Sequence, residues 1–131
     1  MPTPRSLARA TPVHVAVAFA AMGGWALYAN RGHGDAAWAA ALAQGTMSGL
    51  ITLALKRALE AMGARLAGAA AYALPPLVTA SVILAALAAA HRLIGTPEIV
   101  RTIAVPWSVS TLYAILYSAA LARGRDRAGG A

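Results

Sequence analysis

Residues 35–57 read DAAWAAALAQGTMSGLITLALKR, and the reading of this stretch decides the fold. From Ala36 to Leu55 there is no Asp, Glu, Lys or Arg, and a charge-free run of about 20 residues is the length that crosses a bilayer as a helix. A crossing segment must satisfy its own backbone hydrogen bonds, so a single run of this kind is a helix rather than a strand. Asp35 stands before it, and Lys56 and Arg57 stand after it.

The same pattern recurs on both sides. Charged residues are also absent from Thr11 to Asn30, Leu66 to Ala90 and Thr102 to Leu121. Glycines at positions 32, 63, 95 and 124 punctuate the chain, and each interval holds one crossing and a short turn. The expectation is an all-α integral membrane protein, one domain over residues 1–131. Its four transmembrane helices, at roughly 11–30, 36–57, 70–91 and 102–122, form an antiparallel up-down bundle. Short turns force that arrangement, because consecutive helices must lie side by side. The composition agrees: 60% of the 131 residues are hydrophobic and 11% are charged, against about 25% charged in a soluble domain. The absence of cysteine removes disulfides, thiolate nucleophiles and cysteine metal sites. Abundant alanine and a single lysine, Lys56, among eleven basic residues point to a GC-rich, bacterial genome.

A net charge of +7 invites a nucleic-acid reading, but the basic residues sit at helix ends and make no contiguous footprint. They set orientation instead. Two precede span one, three lie between spans two and three, and three follow span four, against Arg31, Arg92 and Arg101 on the other side. Positive residues favour the cytoplasmic side, so both termini are expected in the cytoplasm of a bacterial inner membrane. Trp25 and Trp38 then fall near the outer interface, with Trp107 deeper on the same side. Arg5 and Arg9 before an apolar run resemble a secretory signal. The run from Pro12 to Ala29 is too long for one, however, and Leu27-Tyr28-Ala29 is a poor cleavage site, so retention is expected.

Several boundaries have local signals. Asp35 is expected to cap span two, which runs through Met62 to a left-handed stop at Gly63. Span four reads as Thr96 at the cap, Pro97 in the first helical position and Glu98 at the positive end of the dipole. Pro75-Pro76 suggests that span three begins as an interfacial turn and crosses from Pro75 onward, and Pro106 is expected to kink span four with Thr102 and nearby backbone absorbing the freed carbonyl. Residues 29–35 align with 90–96 at an offset of 61, Ala-polar-Arg followed by a glycine and a cap in both. The two hairpins could therefore form a parallel repeat about the membrane normal. Alternatively, any two outer turns call for a charge, a glycine and a cap.

Chemistry-bearing side chains inside the spans are few. Gln44, Ser48 and Thr52 recur every four residues and form one polar stripe, with Gly45 and Gly49 beside it. Ser110, Tyr113 and Tyr117 share a side of span four with Ala114, adjoined by Thr111 and Ser118, while Val109, Leu112, Leu116 and Ala119 face lipid. Helix packing explains both groups, because glycines admit a neighbouring backbone and hydroxyls bond across helices. A polar pathway or ligand cleft is the sharper alternative. Arg31, Arg92 and Arg101 are weak candidates for outer-face contacts with an anionic headgroup or a phosphorylated sugar, since guanidinium forks match phosphate oxygens. Interfacial anchoring is their plainer role. Arg123, Arg125 and Arg127 read as an orientation signal touching anionic lipid. His33, Asp35 and His91 have the residue types of a metal site but no spacing that fixes a geometry, so no metal is expected.

In length and number of spans the chain is similar to the small multidrug exporters, but span one lacks an acidic residue that could exchange protons for cations. That resemblance implies architecture only. No Ser-His-Asp set, paired carboxylates, HExxH or phosphate-cradling loop is present. The expectation is a non-enzymatic accessory or interaction component without cofactor. Its partners are the lipid bilayer and a second copy or another membrane protein, not nucleic acid. The alternative is a small transporter or flippase for an anionic or lipid-linked substrate.

Overall fold

The computed structural model describes the backbone of residues 4–130 and the side chains of residues 11–130. Arg5 and Arg9, which weigh in the charge asymmetry, lie outside the described side chains. The chain is all-helical: α1 spans Pro4–Ala29, α2 Asp35–Gly63, α3 Gly68–Leu93 and α4 Ile99–Gly129. Each of the four is long and apolar enough to span a membrane.

Helix α2 touches the other three helices, whereas α1 and α3 do not meet among the described residues. Between α1 and α2 the contact is made by small residues. Ala26 and Ala29 are buried on α1, and Ala37, Ala40 and Ala41 on α2. A methyl group added at Gly23 would lie 3.0 Å from the Ala41 carbonyl oxygen, and one added at Gly45 would lie 3.0 Å from the Phe19 carbonyl oxygen. At these distances a Cβ would press on the facing backbone, so the two backbones approach each other through their glycines. On the other side of α2 the packing is by large side chains. Leu55, Leu59, Ile83, Leu87, Ile103 and Ala114 form a continuous apolar cluster joining α2, α3 and α4.

The helix boundaries depart from the sequence expectations in several places. Asp35 is the first helical residue rather than a cap; Gly34 precedes it with φ +56° and no side chain caps the helix. Gly63 is not a left-handed stop, since the following Ala64 remains right-handed. Its hydrogen matters instead, because the Arg125 guanidinium donates to the Gly63 carbonyl and a Cβ there would touch it at 3.4 Å. Nor does the Pro75-Pro76 pair begin a separate segment. Helix α3 continues through both prolines from Gly68, and both rings are buried. Proline fixes φ at a helical value, so packing of the rings against neighbouring helices outweighs the two lost amide bonds.

The start of α4 also differs. Thr96 and Pro97 lie in the turn and the helix begins at Ile99 after Glu98, again with no side-chain cap. Thr96 turns back toward α3, where a buried side chain needs its hydroxyl. Helix α4 runs unbroken past Pro106, and Thr102 does not serve the carbonyl that Pro106 leaves free. Its hydroxyl donates instead to the Glu98 carbonyl at 2.7 Å.

Candidate functional site

Two polar side chains at the ends of α1 and α3 organise the site. Asn30 and His91 are both 0% exposed, and each reaches across to the other helical hairpin. The Asn30 amide donates to the Thr102 hydroxyl at 2.7 Å and to the Ala26 carbonyl at 2.8 Å, and its oxygen accepts from the Glu98 backbone amide at 3.0 Å. Asn30 thereby does from outside the helix what a capping side chain does from within it. Close by, the Trp25 indole donates to the Arg101 carbonyl at 2.9 Å, and His33 lies 3.5 Å from the Glu98 carboxylate.

His91 forms the second junction. Its Nε2 lies 3.0 Å from Gln44 Oε1 and its Nδ1 lies 2.7 Å from the Thr96 hydroxyl. An amide oxygen can only accept, so Nε2 carries the proton and, in the neutral ring, Nδ1 accepts from Thr96. The Gln44 amide nitrogen donates to Ser48 at 2.9 Å. Gln44 is 0% exposed, so this chain from Thr96 to Ser48 is a closed network in which a lost member leaves an unpaired buried group.

The polar stripe on α2 therefore divides. Gln44 and Ser48 are buried, and Gln44 faces α3 rather than the hydroxyls of α4, because His91 offers it both a donor and full burial. Thr52 is exposed and its hydroxyl donates to the Ser48 carbonyl at 2.8 Å. Thr52 instead looks into a cavity of about 740 Å³ between α1, α2 and α4. Ser48, Ser110, Tyr113 and Tyr117 line the same cavity, so the two hydroxyl groups expected on different helices do converge, around a space rather than in contact. Ser110 donates to the Trp107 carbonyl at 3.0 Å. Tyr113 stacks on Tyr117 with ring centroids 5.4 Å apart, and Tyr117 donates to the Glu60 carboxylate at 2.6 Å. Gly45 and Gly49 do not border the cavity; they face Phe19 and Val15 of α1.

A second cavity, about 520 Å³, lies between α2 and α3 and is lined almost wholly by carbon, with Leu50, Ala54, Val82 and Ala86 among its walls. The contrast matters because both clefts lie where the two hairpins meet. In the α2/α3 cleft the hydroxyl of Thr79 is committed to the Pro75 carbonyl at 2.9 Å, whereas the α1/α2/α4 cleft carries several polar side chains.

Arg31, Arg92 and Arg101 are exposed and no contact gathers them. Arg31 sits 4.1 Å over the Tyr28 ring and donates to the Tyr28 carbonyl, which spends its guanidinium locally. His33, Asp35 and His91 do not converge, and among the described residues no cluster of metal-ligating side chains occurs. Sequence reasoning missed Asn30 as a junction and His91 as a buried group. The signal was present in the 61-residue offset, which pairs these two residues, but an isolated polar residue at a helix end reads as solvated until its neighbour is known.

No protein family matches this chain, and neither a curated protein nor a solved structure shows detectable similarity to it.

Proposed function

We propose that this protein is a non-enzymatic, multi-pass component of a bacterial inner membrane, with four helices antiparallel in an up-down bundle and both termini in the cytoplasm. In this reading it packs against a second copy or a partner membrane protein. Four helices of spanning length and the asymmetry of basic residues support the topology. The burial of Asn30 and His91 at equivalent places in the two hairpins supports a parallel hairpin repeat.

One observation carries the accessory reading. Gln44, the stripe's only amide, is fully buried and bonded on both sides, so the polar groups of α2 make no continuous route past it. Membrane helices use such contacts for association, each contributing about 0.6 to 2 kcal/mol. Cysteine-directed labelling tests it. A Ser48→Cys variant should resist a water-soluble maleimide added from either side, and purification in mild detergent should recover a partner protein or a homo-oligomer.

The cavity beside Thr52 favours a second reading, a small transporter or flippase for an anionic or lipid-linked substrate. Rapid labelling of both Ser48→Cys and Thr52→Cys, with none at Leu50→Cys or Leu53→Cys, would decide for that reading, because a transport route must admit water.

A further inference from the structure

Along α1 the wall of the α1/α2/α4 cavity runs from Thr11 to Met22, and along α4 from Pro106 to Tyr117. Eleven residues of helix rise about 16 Å, close to half of the roughly 30 Å hydrocarbon thickness of a bilayer. The cavity is thus about one leaflet deep. Its volume, about 740 Å³, falls within the range of about 300 to 1,000 Å³ that holds small organic ligands.

The lining is graded along that depth. At the deep end stand Met22, Pro106 and Ser110, and the Ser110 hydroxyl is already committed to the Trp107 carbonyl. Toward the opposite end stand His14, Lys56 and Tyr113. His14 and the Tyr113 hydroxyl form no hydrogen bond among the described residues, and Lys56 has only a loose, exposed pairing with Glu60 at 3.9 Å. The lining toward the mouth thus offers a phenol O–H and a ring nitrogen without hydrogen-bond partners among the described residues, and an ammonium whose pairing with the Glu60 carboxylate is loose enough to be exchanged for a second anion. Thr52 and Tyr117, which also line the cavity, have already given their hydrogens to Ser48 and Glu60. A cavity that is apolar at depth and donor-rich at its mouth matches a molecule with an apolar chain and an anionic head.

We propose that this cavity is a binding site for an anionic amphiphile: its alkyl chain lies between α1, α2 and α4 toward Met22 and Pro106, and its anionic headgroup is held by Lys56, His14 and Tyr113. The site rests on the bilayer-spanning reading, but not on the accessory role. In the proposed orientation the mouth faces the cytoplasmic leaflet, so a lipid of that leaflet enters with its head already at the right level. The α2/α3 cleft is almost wholly apolar, and the hydroxyl of Thr79 on its wall is already given to the Pro75 carbonyl, so it serves as an internal control.

The test uses the full chain reconstituted in phosphatidylcholine bilayers, after the protein has been shown to resist alkaline extraction from membranes. Failure at that step defeats the bilayer reading itself and is distinct from failure of the site. Two photoreactive probes are compared, a hexadecyl phosphate and a hexadecanol, each with a diazirine near the end of the chain. The phosphate probe is expected to place its adducts on peptides containing Met22 and Pro106, with the neutral probe labelling them about fivefold less, the factor one interfacial charge supplies. Lys56→Gln should reduce phosphate labelling by a similar factor, and His14→Gln should reduce it further. Val109→Trp, which fills the cavity, should abolish the adducts, whereas Val82→Trp in the α2/α3 cleft should leave them unchanged. Equal labelling by the two probes, or adducts spread evenly around the helices, overturns the proposal. The charge variants keep this decisive even if Val109→Trp fails to fold.

Discussion

Replacing glycines of α1 and α2 by alanine, one at a time, gives a series whose order follows from interatomic distances. Gly24 has nothing within 4 Å of a built Cβ; Gly49 would meet Val15 Cγ1 at 3.3 Å; Gly45 would meet the Phe19 ring and the Phe19 carbonyl oxygen at 3.0 Å. All three substitutions gain roughly the same helix propensity, about 1 kcal/mol in a helix interior, so this term cancels in the comparison. What remains is steric. A valine methyl can rotate away, so Gly49→Ala should fall slightly below Gly24→Ala. A backbone carbonyl cannot, so Gly45→Ala must push α1 off α2, and overpacking of this kind costs about 1 to 3 kcal/mol. Relative to Gly24→Ala, the Gly45→Ala protein should lose that amount of unfolding free energy, measured by steric trapping in mild detergent. Gly45→Ile should lose more. If Gly45→Ala and Gly24→Ala are equally stable, α1 does not pack on this face of α2, and the close approach described here is wrong.

Three further outcomes follow from the bundle. A reporter fused after Ala131 should be cytoplasmic and one inserted at Gly34 external; a Gly34 reporter found in the cytoplasm would reject the orientation drawn from the basic residues. A double-mutant cycle of Gln44→Leu and His91→Leu should give a coupling of about 0.6 to 1.7 kcal/mol in steric trapping, as for other interhelical hydrogen bonds in membranes, and additive losses would deny the α2–α3 junction. Asn30→Ala should destabilise by about 1 to 3 kcal/mol, because it leaves the Glu98 amide and the Thr102 hydroxyl short of a partner, whereas Arg92→Ala, on an exposed side chain, should change stability little; comparable effects of the two would contradict the burial of Asn30.

The sequence by itself determined the helices. In a bilayer, charge-free runs of spanning length leave the backbone no alternative to internal hydrogen bonding, and local composition reports this directly. It also put Gly45 and Gly49 on one side of α2, because residue spacing on a helix is a local property. Which helix filled that face was not local. The stripe of Gln44, Ser48 and Thr52 illustrates the same limit: periodicity aligned the three residues, but only the tertiary structure decided that Gln44 is sealed against His91 while Thr52 borders a cavity. Thr96 looked like a helix cap in sequence, and it became the partner of a buried imidazole because an unpaired polar group inside the bundle costs more than an uncapped helix end at its surface. Pairings between residues 47 and 72 positions apart, Gln44 with His91 and Asn30 with Thr102, depend on how two hairpins are set against each other, and no local pattern encodes that.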